Sequence, residues 1–176
     1  MKSSEHGEFD KMLTLFTHEG EVVRAKIRGV KKERAKLKFA SLPFALCEFE
    51  LNSKNGFLSV VGATQIEDIS SIVHDYDAFI LAAVMFEVTT VAVSHSPIPE
   101  LFPLILKCFR NIIFKDTCPF SVAKFYINKI LITEGYKKND NKTLETLEKE
   151  SQNELQKTIT LFETSYDIRL KTKTNL

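Results

Sequence analysis

The order of two hydrophobic periodicities predicts an α+β chain whose strands come first and whose helices follow. Three observations carry that expectation. Apolar and polar residues alternate in short runs up to about Ile66, the turn dipeptide Asn55-Gly56 separates two such runs, and from Ile69 onward apolar residues recur every three or four positions. Strands are therefore expected within about residues 8 to 68 and helices from about 69. This divides the chain into an N-terminal domain over 1–68 and a helical domain over 69–176. A length of 176 residues with 44% hydrophobic content is enough for a real core.

The first strands read as Leu13–Thr17 and, after the Gly20 turn, Glu21–Arg28. Phe44–Leu51 alternates so that Glu48 and Glu50 share one face, and Asn55-Gly56 opens directly into Phe57–Ile66. Short twisted strands with turn residues between them predict a small barrel or sandwich, most simply an OB-like β-barrel. In the second half, Ile69, Ile72, Val73, Tyr76, Ile80, Ala83 and Val84 form one helical stripe that runs to about Val91. Pro97 and Pro99 break it, and Pro99 can start the next helix through Phe102, Ile105, Leu106, Phe109 and Ile113. Pro119 can open a third, which Gly135 ends. Residues 137–143 (KKNDNKT) read as a polar linker, and a last helical region runs from about Leu144 through Phe162 to a basic tail, RLKTKTNL.

Charge is the sharpest feature. Arg24, Lys26, Arg28, Lys31, Lys32, Arg34, Lys36 and Lys38 are opposed locally only by Glu33, in a chain whose net charge is just +1. Such asymmetry points to a polyanion-binding segment. Arg24, Lys26 and Arg28 alternate with apolar Val23, Ala25 and Ile27, so the run begins on a strand and continues into a loop. The competing reading is a solvated strand edge whose charges deter edge-to-edge pairing. Phe39 and Phe44 beside the lysines could stack bases, although core positions suit both.

Other chemistry finds little support. There is no phosphate-cradling G-x-x-x-x-G-K-[ST] or G-x-G-x-x-G and no G-x-S-x-G elbow, so no cofactor and no catalytic residue is assigned. His74-Asp75-Tyr76-Asp77 reads more cheaply as a solvated helix start than as a catalytic cluster. Cys47, Cys108 and Cys118 lack C-x-x-C spacing and sit among apolar neighbours, so they read as core hydrophobes in a reducing cytosol rather than zinc ligands. No apolar run of about 18 residues or more suggests a membrane span, and no signal-peptide stretch opens the chain.

Three blocks resemble the bacterial recombination mediator family RecO. EFDKMLTLFTHEG (Glu8–Gly20) is similar to the family's E-x-D-x-x-x-T-x-F-T-x-x-x-G opening. RGVKKERAKLKFASLPF is similar to its K-G-A-R-x-x-x-S-x-x-x-x-x-L-x-P-F run, and IRLKTKTNL to its L-K-[ST]-R ending. FEV at Phe86–Val88, ELF at Glu100–Phe102 and EGY at Glu134–Tyr136 fall where the family's helical landmarks would be. The resemblance implies an OB domain followed by a helical domain, and a non-enzymatic, cytoplasmic, nucleoid-associated role in DNA repair. It implies binding to single- and double-stranded DNA, strand annealing, docking of the single-stranded-DNA-binding protein tail, RecR as a partner, and help in loading RecA. The Arg24–Lys38 cations would grip phosphates, with Arg169, Lys171 and Lys173 of the tail as the alternative DNA site. Lys107, Arg110 and Lys124 would flank the protein-partner groove. A rival is an interaction adaptor that kept the fold and lost strong DNA binding. Two departures stand out: residues 137–150 take the place of a further module that holds four-cysteine zinc in some members, and the family's first strand would lie before Glu5, where only Met1–Ser4 is available.

Overall fold

The structure is a computed structural model that describes residues 2–5, 7–114, 117–147 and 151–172. Its backbone contacts divide the chain into two compact units, Met1–Thr17 with Glu21–Ser71, and His18–Gly20 with Ile72–Leu176.

The first unit is a five-stranded sheet of β1 (Lys2–Glu5), β2 (Lys11–Phe16), β3 (Val22–Ile27), β4 (Leu46–Lys54) and β5 (Phe57–Glu67), in the order β1-β2-β3-β5-β4. All neighbours are antiparallel except β3 and β5, which run parallel with Ala25 beside Leu58 and Ile27 beside Val60. This is an OB-like arrangement. Among the described residues no ladder joins β1 to β4, so the sheet stays open. Alternation puts Leu13, Leu15, Ala25, Ile27 and Val60 on one face, where they form a core with Val30. The expected turn is present: Asn55 (φ 52°) and Gly56 (φ 77°) both take the left-handed conformation that a two-residue hairpin requires.

Two expectations need correction here. Strands are not confined to residues 8–68, because β1 pairs with β2 through Lys2–Thr14 to Glu5–Lys11. KSSE carries no apolar alternation, so backbone pairing forms this strand without a side-chain signal. The fourth strand begins at Leu46 rather than Phe44. Phe44 adopts φ 58° and turns into the core at 5% exposure, and this ends the loop before pairing starts.

The second unit holds α1 (Tyr76–Ala92), α2 (Leu101–Phe114), α3 (Pro119–Thr133) and α4 (Gln152–Tyr166), with a 3-10 turn at Leu144–Thr146; another 3-10 turn, Ser70–Val73, begins in the first unit and ends in the second. Asp75 caps α1 by accepting the Ala78 N–H at 2.8 Å, the structural role that the HDYD segment was expected to fill. Pro119 is the first residue of α3, and Gly135 (φ 78°) closes it as Tyr136 N–H reaches back to the Leu131 carbonyl at 2.8 Å. The last helix starts at Gln152, not near Leu144. Thr143 and Thr146 close one isolated turn, and Ser151 caps α4 anew through the Glu154 N–H. The core of this unit is built on Leu81, Met85, Tyr126, Ile130, Leu155, Ile159 and Phe162, all essentially inaccessible. No helix among the described residues is long and apolar enough to cross a membrane.

Candidate nucleic-acid interface

The cationic segment has no helix before Phe39. After β3 it runs through successive turns, with Lys32 N–H donating to the Gly29 carbonyl, Ala35 to Lys32, Lys38 to Ala35 and Ser41 to Lys38. Apolar residues spaced along it point inward: Val30 (2% exposed) and Ala40 (0%) are buried and Leu37 packs against the core. The cationic side chains between them are turned outward. Arg24, Arg28, Lys32, Arg34, Lys36 and Lys38 are exposed, and Lys31 is half-exposed.

Asp10 fastens the base of the segment, and sequence reasoning missed it. Its carboxylate accepts the Gly29 N–H at 2.8 Å and pairs with Lys26 Nζ at 2.9 Å, while Lys31 N–H donates to the Phe9 carbonyl at 3.0 Å. The Gly29 hydrogen bond first, then Lys26, lowers the Asp10 pKa below its ordinary value. Gly29 sits at φ 63°, where a side chain would be strained. The signal was present in the sequence: Asp10 belongs to the first block of resemblance and Gly29 to the second. One of the eight candidate cations, Lys26, is thus already engaged by a carboxylate. Lys32 lies 5.6 Å from the centre of the Phe9 ring. Among the described residues, Arg24, Arg28, Arg34, Lys36 and Lys38 make no ion pair.

The helical candidates are placed differently. Lys107 and Arg110 are both exposed on α2, and Lys107 pairs with Glu145 at 3.2 Å. Lys124 on α3 is only 18% exposed, pairs with Glu154 at 3.6 Å, and lines a shallow cavity with Phe125, Asn128 and Leu147. The Glu145 pKa falls to about 2, through backbone and Thr143 hydrogen bonds and then Lys107.

In the tail, Leu170 is buried at 2% exposure and its N–H donates to Glu163 Oε1 at 2.7 Å. Glu87 of α1 accepts the backbone N–H groups of Lys171 and Thr172, each at 2.9 Å. Two more blocks of resemblance, FEV and IRLKT, therefore meet as a packing contact. Arg169 and Lys171 remain exposed, and Lys173 lies outside the described residues.

The suspected aromatic platforms differ in exposure. Phe44 is buried and Phe39 half-buried. Of the cysteines, Cys108 is buried, which pushes its thiol up to about 12, and Cys47 and Cys118 are half-buried. Among the described residues no three His, Cys, Asp or Glu side chains are grouped to hold a metal ion.

An open OB-like sheet carrying an outward-facing cationic loop, followed by a helical half, defines the class of protein. Residues 1–69 match the family model described as "Recombination protein O N terminal". The "DNA repair protein RecO" of Desulfitobacterium hafniense is 28% identical over 139 residues, covering 78% of this chain and 50% of that protein. The protein of that name from Bacillus pumilus is 29% identical over 113 residues, covering 64% of this chain and 44% of its own length. The one from Streptomyces coelicolor is 26% identical over 145 residues, covering 77% and 58%. Over its N-terminal 69 residues by the family model, and over most of its length by these relatives, the chain is similar to RecO proteins. The chain spans about half the length of the curated relatives it matches.

Proposed function

We propose that this chain is a RecO-like, non-enzymatic DNA-binding mediator of recombination in DNA repair, one that binds and anneals strands and assists RecA loading. The observation that supports the reading is the anchored β3–β4 loop, with Arg34, Lys36 and Lys38 exposed and making no ion pair among the described residues. Polyanions are held by such side chains without regard to base sequence, because each cation that neutralises a phosphate releases condensed counterions. Lysines act as point charges and arginines as bidentate forks on phosphate oxygens. A surface that neutralises two complementary strands lowers the repulsion between them, which is what annealing requires. The Arg169 and Lys171 side chains are the second place where phosphate could be held.

The finer reading places the tail of single-stranded-DNA-binding protein, an acidic peptide, at Lys107, Arg110 and Lys124. Such a peptide would replace Glu145 and Glu154, the carboxylates that pair with Lys107 and Lys124 within the chain. RecR is a further partner on this reading.

A salt-titrated binding and annealing assay tests the reading. Wild-type protein should bind and anneal, and a Lys31→Ala/Lys32→Ala/Arg34→Ala variant should do both poorly. Equal behaviour of the two proteins would leave the loop as a solvated edge and move the DNA site to the tail. Absence of DNA binding by the wild type at physiological salt would favour the adaptor.

A further inference from the structure

Phe57 is 76% exposed, the most exposed large apolar side chain among the described residues. It opens β5 at the tip of the β4–β5 hairpin, directly opposite Lys54. Exposure of a phenyl ring forgoes the gain from burying it, so its surroundings need an account. Strand-edge chemistry does not supply one, since β5 is an interior strand flanked by β3 and β4.

Register does supply one. Ala25 pairs with Leu58 in the parallel β3–β5 ladder, and both face the core. Carrying that register one residue back on each strand, just before the ladder begins at Ala25 and Leu58, puts Arg24 and Phe57 on the outer face next to one another. Lys54 stands beyond Phe57 on β4, and the next row of the same face holds Lys26, Ser59 and Asn52. An exposed aromatic ring is thus set between an exposed arginine and an exposed lysine on adjacent strands. The acidic pair of the hairpin lies at its other end, where Glu48 and Glu50 pair with Thr64 and Gly62.

We propose that Phe57 is a stacking platform for an unpaired nucleobase of single-stranded DNA, with Arg24 and Lys54 holding the phosphates on either side of it. An aromatic face stacks on any base but needs that base out of a duplex, whereas a cation on phosphate does not discriminate. The outer sheet face then prefers single strands, while the basic loop grips either form. This inference rests on the DNA-binding reading above and adds the group that distinguishes strand states.

The chain contains no tryptophan, so Phe57→Trp places a single indole at the site, which can be excited selectively over the four tyrosines. Its fluorescence should be quenched by oligothymidylate, with saturation matching binding measured by anisotropy of labelled DNA. Inorganic polyphosphate, which offers phosphate without bases, should bind without quenching, and blunt duplex should likewise leave the signal unchanged. Phe57→Ala should weaken single-strand binding by about 5- to 150-fold at constant salt, with the salt slope and duplex affinity unchanged. Phe57→Leu keeps apolar bulk in the strand, and should lose single-strand affinity as Ala does, so a folding defect in one variant does not decide the matter. Three results would overturn the proposal: an unquenched indole signal in the saturated complex of the Phe57→Trp variant, single-strand affinity unchanged in Phe57→Ala, or equal losses on single strands and duplex. If Lys31→Ala/Lys32→Ala/Arg34→Ala weakens binding while Phe57→Ala does not, the stacking site is wrong and the DNA-binding reading stands. If wild-type protein binds no DNA, both fall.

Discussion

The cations of the β3–β4 loop and those of α2 and α3 look alike in sequence and differ in what faces them. On the loop, Arg34, Lys36 and Lys38 meet solvent and make no ion pair among the described residues. In the helical unit, Lys107 faces Glu145 and Lys124 faces Glu154. A paired lysine must lose its carboxylate before it gains a phosphate, while an unpaired one gives up only water and counterions. Positive charge alone therefore does not distinguish the two regions; the carboxylates that face Lys107 and Lys124 do.

The largest expected effect sets the two regions against each other directly. Lys31→Ala/Lys32→Ala/Arg34→Ala should flatten the dependence of log K on log salt by about 2, since each single-strand phosphate contact contributes about 0.7. Lys107→Ala/Arg110→Ala should leave that slope as in the wild type, and should instead weaken binding of an acidic tail peptide. Flattening by the helical variant but not by the loop variant would reverse the comparison.

A smaller effect should follow from moving a β3 cation at the base of the loop, Lys26, from the paired class to the unpaired one. Asp10→Asn keeps a hydrogen-bond acceptor for Gly29 N–H and releases Lys26. The salt slope should steepen by at most about 0.7, the increment of one contact. An unchanged slope would mean that Lys26 does not reach phosphate even when released.

Acid should undo the pairing. The Glu145 pKa is lowered to about 2, and that of Glu154 is lowered mainly by Lys157 with a smaller part from Lys124. A depressed carboxyl pKa means the folded state favours the charged form. The resulting stabilisation is present above the unfolded value of about 4.3 and disappears as pH falls through the folded one. Carboxyl chemical shifts of Glu145 should accordingly titrate near 2, and Lys107→Ala should move that midpoint upward. A midpoint that ignores Lys107 would show the contact to be too loose to matter. The smallest effect expected is on stability: Lys107→Ala should leave the melting temperature essentially unchanged, as for most exposed ion pairs.

Periodicity and turn chemistry made most of the fold legible. Leu13, Leu15, Ala25 and Ile27 alternate, Asn55-Gly56 forms its hairpin, and Pro119 and Gly135 bound α3. The edge strand Lys2–Glu5 had no apolar pattern to read, and only the family resemblance pointed to a strand there. Leu144 and Leu147 are spaced as on a helix, yet the Thr143 and Ser151 caps divide that stretch. The candidate site was legible as charge and illegible as contact. Lys107–Glu145, Lys26–Asp10 and the Glu87 clasp on residues 171 and 172 all join residues far apart in sequence. Proximity along the chain favours Phe39 and Phe44 over Phe57 as base platforms, because strand register cannot be read from composition.

The fastening of the basic loop has a consequence for how it would meet DNA. Fixing a backbone residue costs about 1–2 kcal/mol in conformational entropy, and a disordered basic arm must meet that cost at the moment of binding. Here Val30, Leu37, Ala40 and Phe44, with the run of turn hydrogen bonds, set the backbone during folding. Only the lysine and arginine side chains remain to be ordered by the ligand. The loop is preorganised, so its affinity should track the number of phosphates within reach rather than any refolding of the protein.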